Sequence, residues 1–249
     1  MFDLQPYGTI GIIFALEAER HGLAQVLVNS PVDYSSDGLS CTWLVGNVNV
    51  AAIVSGIGRE RCALAAQQLI SKGAQWVVAA GFAAALDSQA RVGDVVVAHR
   101  VMMENTDTEP IECSASMIGA VPPSGQLGYS IWRSDLLTID HIVLDSEEKE
   151  EIYRRTGAAA LDMESYAAAE ICSKQGVPFI AIRGVSDVAD QSLPVEVAEL
   201  AALTRWIERF AYVILRPGIW KTLWKLRKDT NAAANNLGDV LGMMLLRLI

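Results

Sequence analysis

The feature that most constrains the fold is an apolar run that contains one charge. Residues 179–185 read FIAIRGV, and the run ends at Ser186 and Asp187. A short, β-branched apolar segment of this kind predicts a buried strand. The guanidinium of Arg183 needs partners there, because an unpaired charge is expelled from an apolar interior. We therefore expect charged groups at the carboxyl end of this strand, where α/β sheets bind their ligands.

The residues before this strand predict a helix. Asp162, Met163 and Glu164 open a helix-like run over residues 165–173, and a Gly-Val-Pro sequence at 176–178 ends it. Glu164 could therefore be an ordinary acid in the first turn of a helix, where the helix dipole favours negative charge. Further strands and helices alternate along the chain. Strands are predicted at residues 9–14, 41–45, 48–54, 76–80, 95–98 and 138–144, and helices at residues 59–71, 145–155 and 194–214.

The alternation of strands and helices, interrupted by one hairpin at Gly46-Asn47, predicts the fold class. We expect an α/β fold: a single domain with a central mixed β-sheet flanked by helices. Residues 101–138 show no clear period and could form a lid or an interface loop.

The end of the chain predicts an appended C-terminal helical tail. Residues 219–249 are basic in their first half, which holds Trp220 and Trp224, and apolar in their second half. A basic amphipathic helix can lie on a membrane surface. Such a tail more often packs on its own domain or on a second subunit, and we favour that interpretation. We expect one domain over residues 1–214 and a helical extension over residues 215–249.

Composition excludes several functions. A net charge of −9 argues against a nucleic-acid surface, since phosphate binding needs clustered Lys and Arg. The cysteines are far apart, without metal-ligand spacing, so we expect them reduced and buried, with no metal and no cofactor. No basic segment precedes the apolar N-terminal run, and no apolar run reaches about 18 residues. These observations predict a cytoplasmic protein. The cysteines are Cys41, Cys62, Cys113 and Cys172.

Three further segments contain candidate binding residues. Glu19 follows the first strand, although acids there can simply decorate a helix N-terminus. The sequence SGIG at 55–58 precedes a helix and can either cradle an anion or form a tight turn. Gly81 and Phe82 follow a buried strand in a small-residue segment that lets the backbone approach a ligand.

Taken in order, the motifs TIGIIFALEAE, SGIG, GFAAAL, VGDVVV, LDMES and IRGVSDVAD resemble the nucleoside phosphorylase/nucleosidase superfamily over residues 9–213. The branch of methylthioadenosine/S-adenosylhomocysteine nucleosidases is most similar. The tail beyond Pro217 resembles extensions of the hopanoid-associated phosphorylase branch, which acts on adenosylhopane. The resemblance implies a small-molecule purine nucleoside as substrate and a homo-oligomer, most simply a dimer.

The resemblance also implies roles for single residues. Asp187 matches the acid at N7 of the leaving purine, and Ser186 lies beside that base. Met163 and Glu164 match the ribose clamp, with Glu164 on the 2′ and 3′ hydroxyls. Glu19 matches the acid that activates the attacking water.

Arg183 matches an arginine near that water, although from the residues alone it could form a structural ion pair with Asp187 or Asp162. Gly81 and Phe82 lie in the second strand-end turn, on the substrate side. Related nucleosidases commonly have Ser at the position of Phe82, and a Phe there could narrow the site or line it for an apolar 5′ substituent. The division of labour resembles that of glycosidases, in which one acid serves the leaving group and one base serves water.

The resemblance leaves hydrolysis and phosphorolysis to be distinguished. Family phosphorylases hold phosphate with a Gly, an Arg and a Ser, where this chain has Phe14, Ala79 and Phe82. A dianion without a charge partner or hydroxyl donor is poorly bound, so we expect hydrolysis that releases adenine. Arg59 or Arg61 could still bind an anion.

Two alternatives stay open. One is a phosphorylase or nucleosidase that acts on a nucleoside with an apolar 5′ substituent, similar to adenosylhopane. The other is a non-catalytic purine-nucleoside binder in which Phe14 and Phe82 block the pocket.

Overall fold

The computed structural model describes residues 8–104, 107–125, 127–192 and 220–248. The strands are β1 (Thr9–Phe14), β2 (Val32–Tyr34), β3 (Ser40–Val45), β4 (Val48–Val54), β5 (Ala74–Ala85), β6 (Val95–Met103), β7 (Ile111–Glu112), β8 (Ile131–Thr138), β9 (Ala160–Asp162) and β10 (Phe179–Asp187). The helices are α1 (Glu17–Val26), α2 (Arg59–Ser71), α3 (Ala115–Ala120), α4 (Ser146–Thr156), α5 (Ser165–Gln175) and α6 (Trp220–Leu248).

The strands form one mixed sheet, which confirms the predicted α/β fold class. Its order is β10-β6-β8-β9-β5-β1-β4-β3-β2, β10 also pairs with β5, and β7 pairs with β6. The strands β5, β10, β6, β8 and β9 therefore close into a ring, from which β1, β4, β3 and β2 extend. The strands β4, β1, β5 and β10 are mutually parallel, so their carboxyl ends meet at one edge.

Several elements lie where the sequence predicts them. The bounds of β1, β4 and α2 match the prediction, and Gly46 adopts the left-handed conformation that the hairpin turn requires, with φ of 58°. The prediction for residues 138–144 is wrong, because the strand there is Ile131–Thr138. Residues 142–144 are apolar for another reason: Ile142 lines a cavity and Val143 packs in a small local core.

Residues 101–138, for which the sequence shows no clear period, also contain regular structure: the end of β6, β7, α3 and β8. The helix predicted for residues 194–214 lies outside the described residues. The four cysteines are free and buried, as predicted. Among the described residues, no helix has the length and apolar character needed to cross a membrane.

The second half of α6 packs on the domain, as favoured from the sequence. Its apolar side chains are buried in the same core as β1 and β10; they are Leu237, Val240, Leu241, Met244, Leu245 and Leu248. The predicted boundary at residues 214 and 215 lies outside the described residues and stays a prediction.

Glycines bring α6 into backbone contact with α1. A Cβ atom on Gly22 would lie 1.9 Å from the carbonyl oxygen of Ala234, and one on Gly238 would lie 2.3 Å from the carbonyl carbon of Gly22. Any side chain at these positions would force the helices apart, because packed interiors have little free volume.

We predict that Gly238→Ala destabilises the fold by about 1–3 kcal/mol, since overpacking a close contact costs this much. Gly119→Ala is the matched control: Gly119 is also in a helix, and a Cβ atom there meets nothing within 4 Å. Urea unfolding of both variants tests the prediction. Equal midpoints for the two variants would show that the α1–α6 contact is not tight.

Candidate active site

Most of the predicted site residues line one cavity of about 230 Å³ at the common edge of the parallel strands. They are Glu19, Phe82, Met163, Glu164, Ser186 and Asp187. A larger crevice of about 610 Å³ lies between His99, Glu112 and Arg133, but it is open to solvent and holds none of them. The smaller cavity is the candidate site because buried charged groups converge on it.

Glu19 lies in the first turn of α1 and is only 3% exposed. One carboxylate oxygen accepts hydrogen bonds from the backbone N–H groups of Ala15 and Leu16, at 2.7 and 2.8 Å. The other accepts from the N–H of Phe82 at 2.8 Å. Burial raises the pKa of Glu19 to about 7, although Arg183 and the backbone donors oppose the shift. This carboxylate therefore titrates close to neutral pH, as suits a general base.

Arg183 is 2% exposed on β10 and has its partners within the site. Its Nη2 atom lies 2.6 Å from a carboxylate oxygen of Asp162, and it also donates to Ser165 Oγ at 2.8 Å. Of the two ion pairs considered from the sequence, the one with Asp162 forms. Burial opposes the charge, yet the carboxylates of Asp162, Glu164 and Glu19 raise the pKa of Arg183, so it stays protonated.

Gly81 faces Arg183 across the β5–β10 ladder. A Cβ atom at this position would lie 2.3 Å from Arg183 Nη1 and 2.7 Å from Glu19 Oε1. The glycine is therefore required for the guanidinium and the carboxylate to approach each other. Gly81 is not among the residues that line the cavity, whereas the neighbouring Phe82 is.

Glu164 lies at the N-terminus of α5, and its Oε1 atom accepts a hydrogen bond from the N–H of Gly58 at 2.9 Å. The SGIG turn thus presents its helix N-terminus to a carboxylate of the protein. Burial and the nearby Asp162 raise the pKa of Glu164, and Arg183 opposes them. Asp162 itself accepts from Thr138 Oγ1 at 2.7 Å and from the N–H of Ser165 at 3.2 Å, and the second bond holds the start of α5.

Asp187 is the last residue of β10 and is buried. Its Oδ2 atom lies 2.5 Å from the Nζ atom of Lys149, which reaches it from α4. Burial raises the pKa of Asp187, and Lys149 opposes the shift. Beside it, Ser186 Oγ donates to the carbonyl of Ala83 at 3.4 Å.

Sequence reasoning missed Lys149. The residue stands in the run SEEKEE, which is typical of a solvent-exposed helix face. The available signal was spacing: Lys149 precedes Ile152 by three residues, and these two are the buried residues of α4.

Sequence reasoning also left out the residues between β8 and α4. His141 and Ile142 line the cavity, and His141 is hydrogen-bonded to Asp140 at 3.2 Å and to Glu148 at 3.3 Å. Leu16 and Ile57 add apolar surface to the same cavity. Apart from its acids, the cavity wall is therefore mainly hydrocarbon.

Comparison with known proteins places this geometry in context. A family model described as the phosphorylase superfamily matches residues 9–216. A curated 5′-methylthioadenosine/S-adenosylhomocysteine nucleosidase from an Exiguobacterium species is 26% identical over 200 residues, which are 73% of this chain and 86% of that protein.

Two solved structures are similar along nearly the whole chain. Futalosine hydrolase of Helicobacter pylori has a TM-score of 0.74 at 20% identity, covering 96% of this chain and 97% of that one. A methylthioadenosine/S-adenosylhomocysteine nucleosidase from Colwellia psychrerythraea, in complex with adenine, has a TM-score of 0.75 at 21% identity, covering 97% and 96%. At these identities the structural likeness establishes the fold.

We predict that Arg183→Met destabilises the protein by about 3–5 kcal/mol, because it leaves the buried Asp162 carboxylate without its charge partner. Arg100→Met is the control: its ion pair with Asp135 is exposed, and removing such a pair has little effect. Thermal unfolding of both variants measures the difference. Similar melting temperatures would contradict a structural role for the buried pair.

Proposed function

We propose, from the premise that the chain belongs to the phosphorylase superfamily, that it hydrolyses the N-glycosidic bond of an adenine nucleoside. Methylthioadenosine and S-adenosylhomocysteine are the substrates that its similarity to the curated nucleosidase supports. The products are free adenine and the corresponding ribose derivative.

The observation that carries the proposal is the position of Glu19. Its carboxylate accepts from three backbone N–H groups, those of Ala15, Leu16 and Phe82, beside the buried Arg183. Such a group of donors next to a cation suits an anion. Because the Glu19 side chain already accepts from these donors, a phosphate dianion would have to compete with it for them. Water, activated by the same carboxylate, is the nucleophile that this arrangement favours.

The other candidate anion ligands also point away from phosphorolysis. The N–H of Gly58 in the SGIG turn donates to Glu164. Arg59 is exposed and donates to the sulfur of Met103, and the guanidinium of Arg61 folds against Gly56. Neither arginine is among the residues that line the cavity.

The proposed mechanism divides the work among the acids. Glu164 and Met163 hold the ribose, and the Glu164 carboxylate stabilises the positive charge that develops on the sugar as the bond to the base breaks. Asp187 serves N7 of the leaving adenine as general acid. Glu19 takes a proton from the water that attacks the sugar, and Arg183 holds Glu19 in place. Ser186 lies next to the base, and Gly81 and Phe82 border the sugar side.

A second substrate class is supported by the apolar part of the cavity wall. Leu16, Ile57, Phe82 and Ile142 give the cavity a hydrocarbon surface. Such a surface favours an apolar 5′ substituent over a charged one. The similarity of the tail to the hopanoid-associated branch agrees with this alternative, in which the same acids would cleave an adenosylhopane-like nucleoside.

A non-catalytic binder is less well supported. Phe14, one of the two residues expected to block the pocket, is fully buried in the main core and is not part of the cavity wall. Phe82 lines the cavity and leaves it open. The homodimer and the cytoplasmic location stay as sequence-based expectations, and membrane contact by the tail stays the less favoured alternative.

Substrate and nucleophile are tested in one assay. We expect the protein to release adenine from methylthioadenosine or S-adenosylhomocysteine at the same rate with and without phosphate, and Asp187→Asn to abolish the release while the protein stays folded. Chromatography of the free base measures both. Ribose 1-phosphate products would identify a phosphorylase, and full turnover by Asp187→Asn would refute the role of the acid.

The pH dependence tests Glu19. Because burial raises its pKa to about 7, Glu19 is protonated at lower pH and can no longer accept a proton. We expect kcat/KM to fall by about tenfold per pH unit below pH 7, and Glu19→Gln to be inactive at every pH. A flat profile between about pH 5 and about pH 7 would show that another group is the base.

A further inference from the structure

We propose that Lys149 is a positioning residue that acts through Asp187: it fixes the carboxylate and holds the proton that replaces the one given to the leaving base. The inference rests on the proposed function, because it assigns a source to the proton that cleavage consumes. None of the family motifs in the sequence contains Lys149; its contacts alone indicate the role.

The geometry of Lys149 is unusual for a lysine. Its side chain is 0% exposed and comes from α4, outside the strand that holds Asp187. Each of its three ammonium hydrogens has an acceptor: Asp187 Oδ2 at 2.5 Å, the carbonyl of Val188 at 3.0 Å and the carbonyl of Gln191 at 3.1 Å. Burial of a charge at this depth is costly and is sustained only by such complete pairing.

In this arrangement the two carboxylate oxygens of Asp187 have different partners. Lys149 occupies Oδ2, which leaves Oδ1 for a base in the cavity that Asp187 lines. The carboxylate therefore connects a buried ammonium on one side with the substrate on the other. With a donor at one oxygen and an acceptor at the other, the carboxyl group can give a proton from Oδ1 while it receives another at Oδ2.

The proposed transfer is balanced. Asp187 starts with a proton on Oδ1. As the bond between the sugar and N9 breaks, its electron pair goes to the base, and N7 takes this proton. Asp187 then takes a proton at Oδ2 from the Lys149 ammonium, which becomes a neutral amine. Glu19 takes a proton from water, whose oxygen bonds to the sugar. Solvent restores the Lys149 proton and accepts that of Glu19 after the products leave, so adenine departs as a neutral molecule.

Other titratable groups surround the pair without bonding to it. Those that share the cavity with Asp187 are Glu19, His141, Asp162 and Glu164. Those on the outer side of α4 are Glu147, Glu150, Tyr153, Arg154 and Asp190. Within the described residues, Lys149 is thus the group in direct contact with Asp187 that carries a transferable proton.

A purely structural role predicts different behaviour. Through its two carbonyl contacts, Lys149 also fastens the turn after β10 to α4. Loss of that attachment would impair every substrate at every pH. Loss of a proton source would impair only leaving groups that need a proton, and most strongly at high pH, where Asp187 cannot be protonated from solvent.

The experiment compares the full-length wild type with Lys149→Met and Lys149→Gln. The Gln variant keeps a donor for the carbonyls but has no transferable proton, and it serves if the Met variant does not fold. Tyr153→Phe is the control, since it removes another polar tie of α4, to Asp87, away from the cavity. The two probes are methylthioadenosine and 4-nitrophenyl β-D-ribofuranoside, whose nitrophenolate leaves without a proton.

We expect the Lys149 variants to lose about 100-fold in kcat on methylthioadenosine at about pH 8.5, with KM little changed and a smaller loss at about pH 6.5. We expect near wild-type cleavage of the nitrophenyl riboside, and full activity of Tyr153→Phe on both probes. Equal losses on both probes, or no loss, would overturn the role of Lys149. If the wild type releases no adenine, the proposed function fails and the role of Lys149 fails with it.

Discussion

One buried guanidinium, that of Arg183, is the interaction on which the site depends. Taking this charge out of water is costly, and the cost is offset only because Asp162, Ser165 and nearby carboxylates surround it. These partners belong to β9, α5 and α1, so the ion pairs join elements that are distant in sequence. The arrangement also requires Gly81, because only a residue without a side chain leaves room for Arg183 beside Glu19.

The same arrangement of charges explains how this fold can use water, in place of phosphate, as the nucleophile. The backbone donors around Glu19, and the helix N-terminus at Gly58, are groups that bind anions in many proteins. In this chain both receive carboxylates of the protein, Glu19 and Glu164. These donors thus hold carboxylates of the protein where a phosphorylase would bind its anionic nucleophile, and in the proposed hydrolysis Glu19 serves as the base.

The sequence predicts well what depends on local patterns. The strand β1 and the helix α2 have the predicted bounds, because apolar runs and glycine turns are local signals. Asp187 was singled out because it ends an apolar strand that carries Arg183, and Glu19 only because the ordered motifs resemble a known family. Lys149 was missed because its burial depends on how α4 packs, which a charged run in the sequence conceals. Residues 138–144 were misread as a strand because a cavity wall and a strand are equally apolar.

The glycine contact between α1 and α6 also determines when, during synthesis of the chain, the core can form. Gly22 belongs to α1, and Gly238 belongs to a segment that is made more than two hundred residues later. Until residues 233–248 emerge, the faces of α1 and β10 that they cover are exposed to water as apolar surface. Such surface binds chaperones or other nascent chains. The part of the core between α1, β10 and α6 therefore closes only after residues 233–248 have been synthesised.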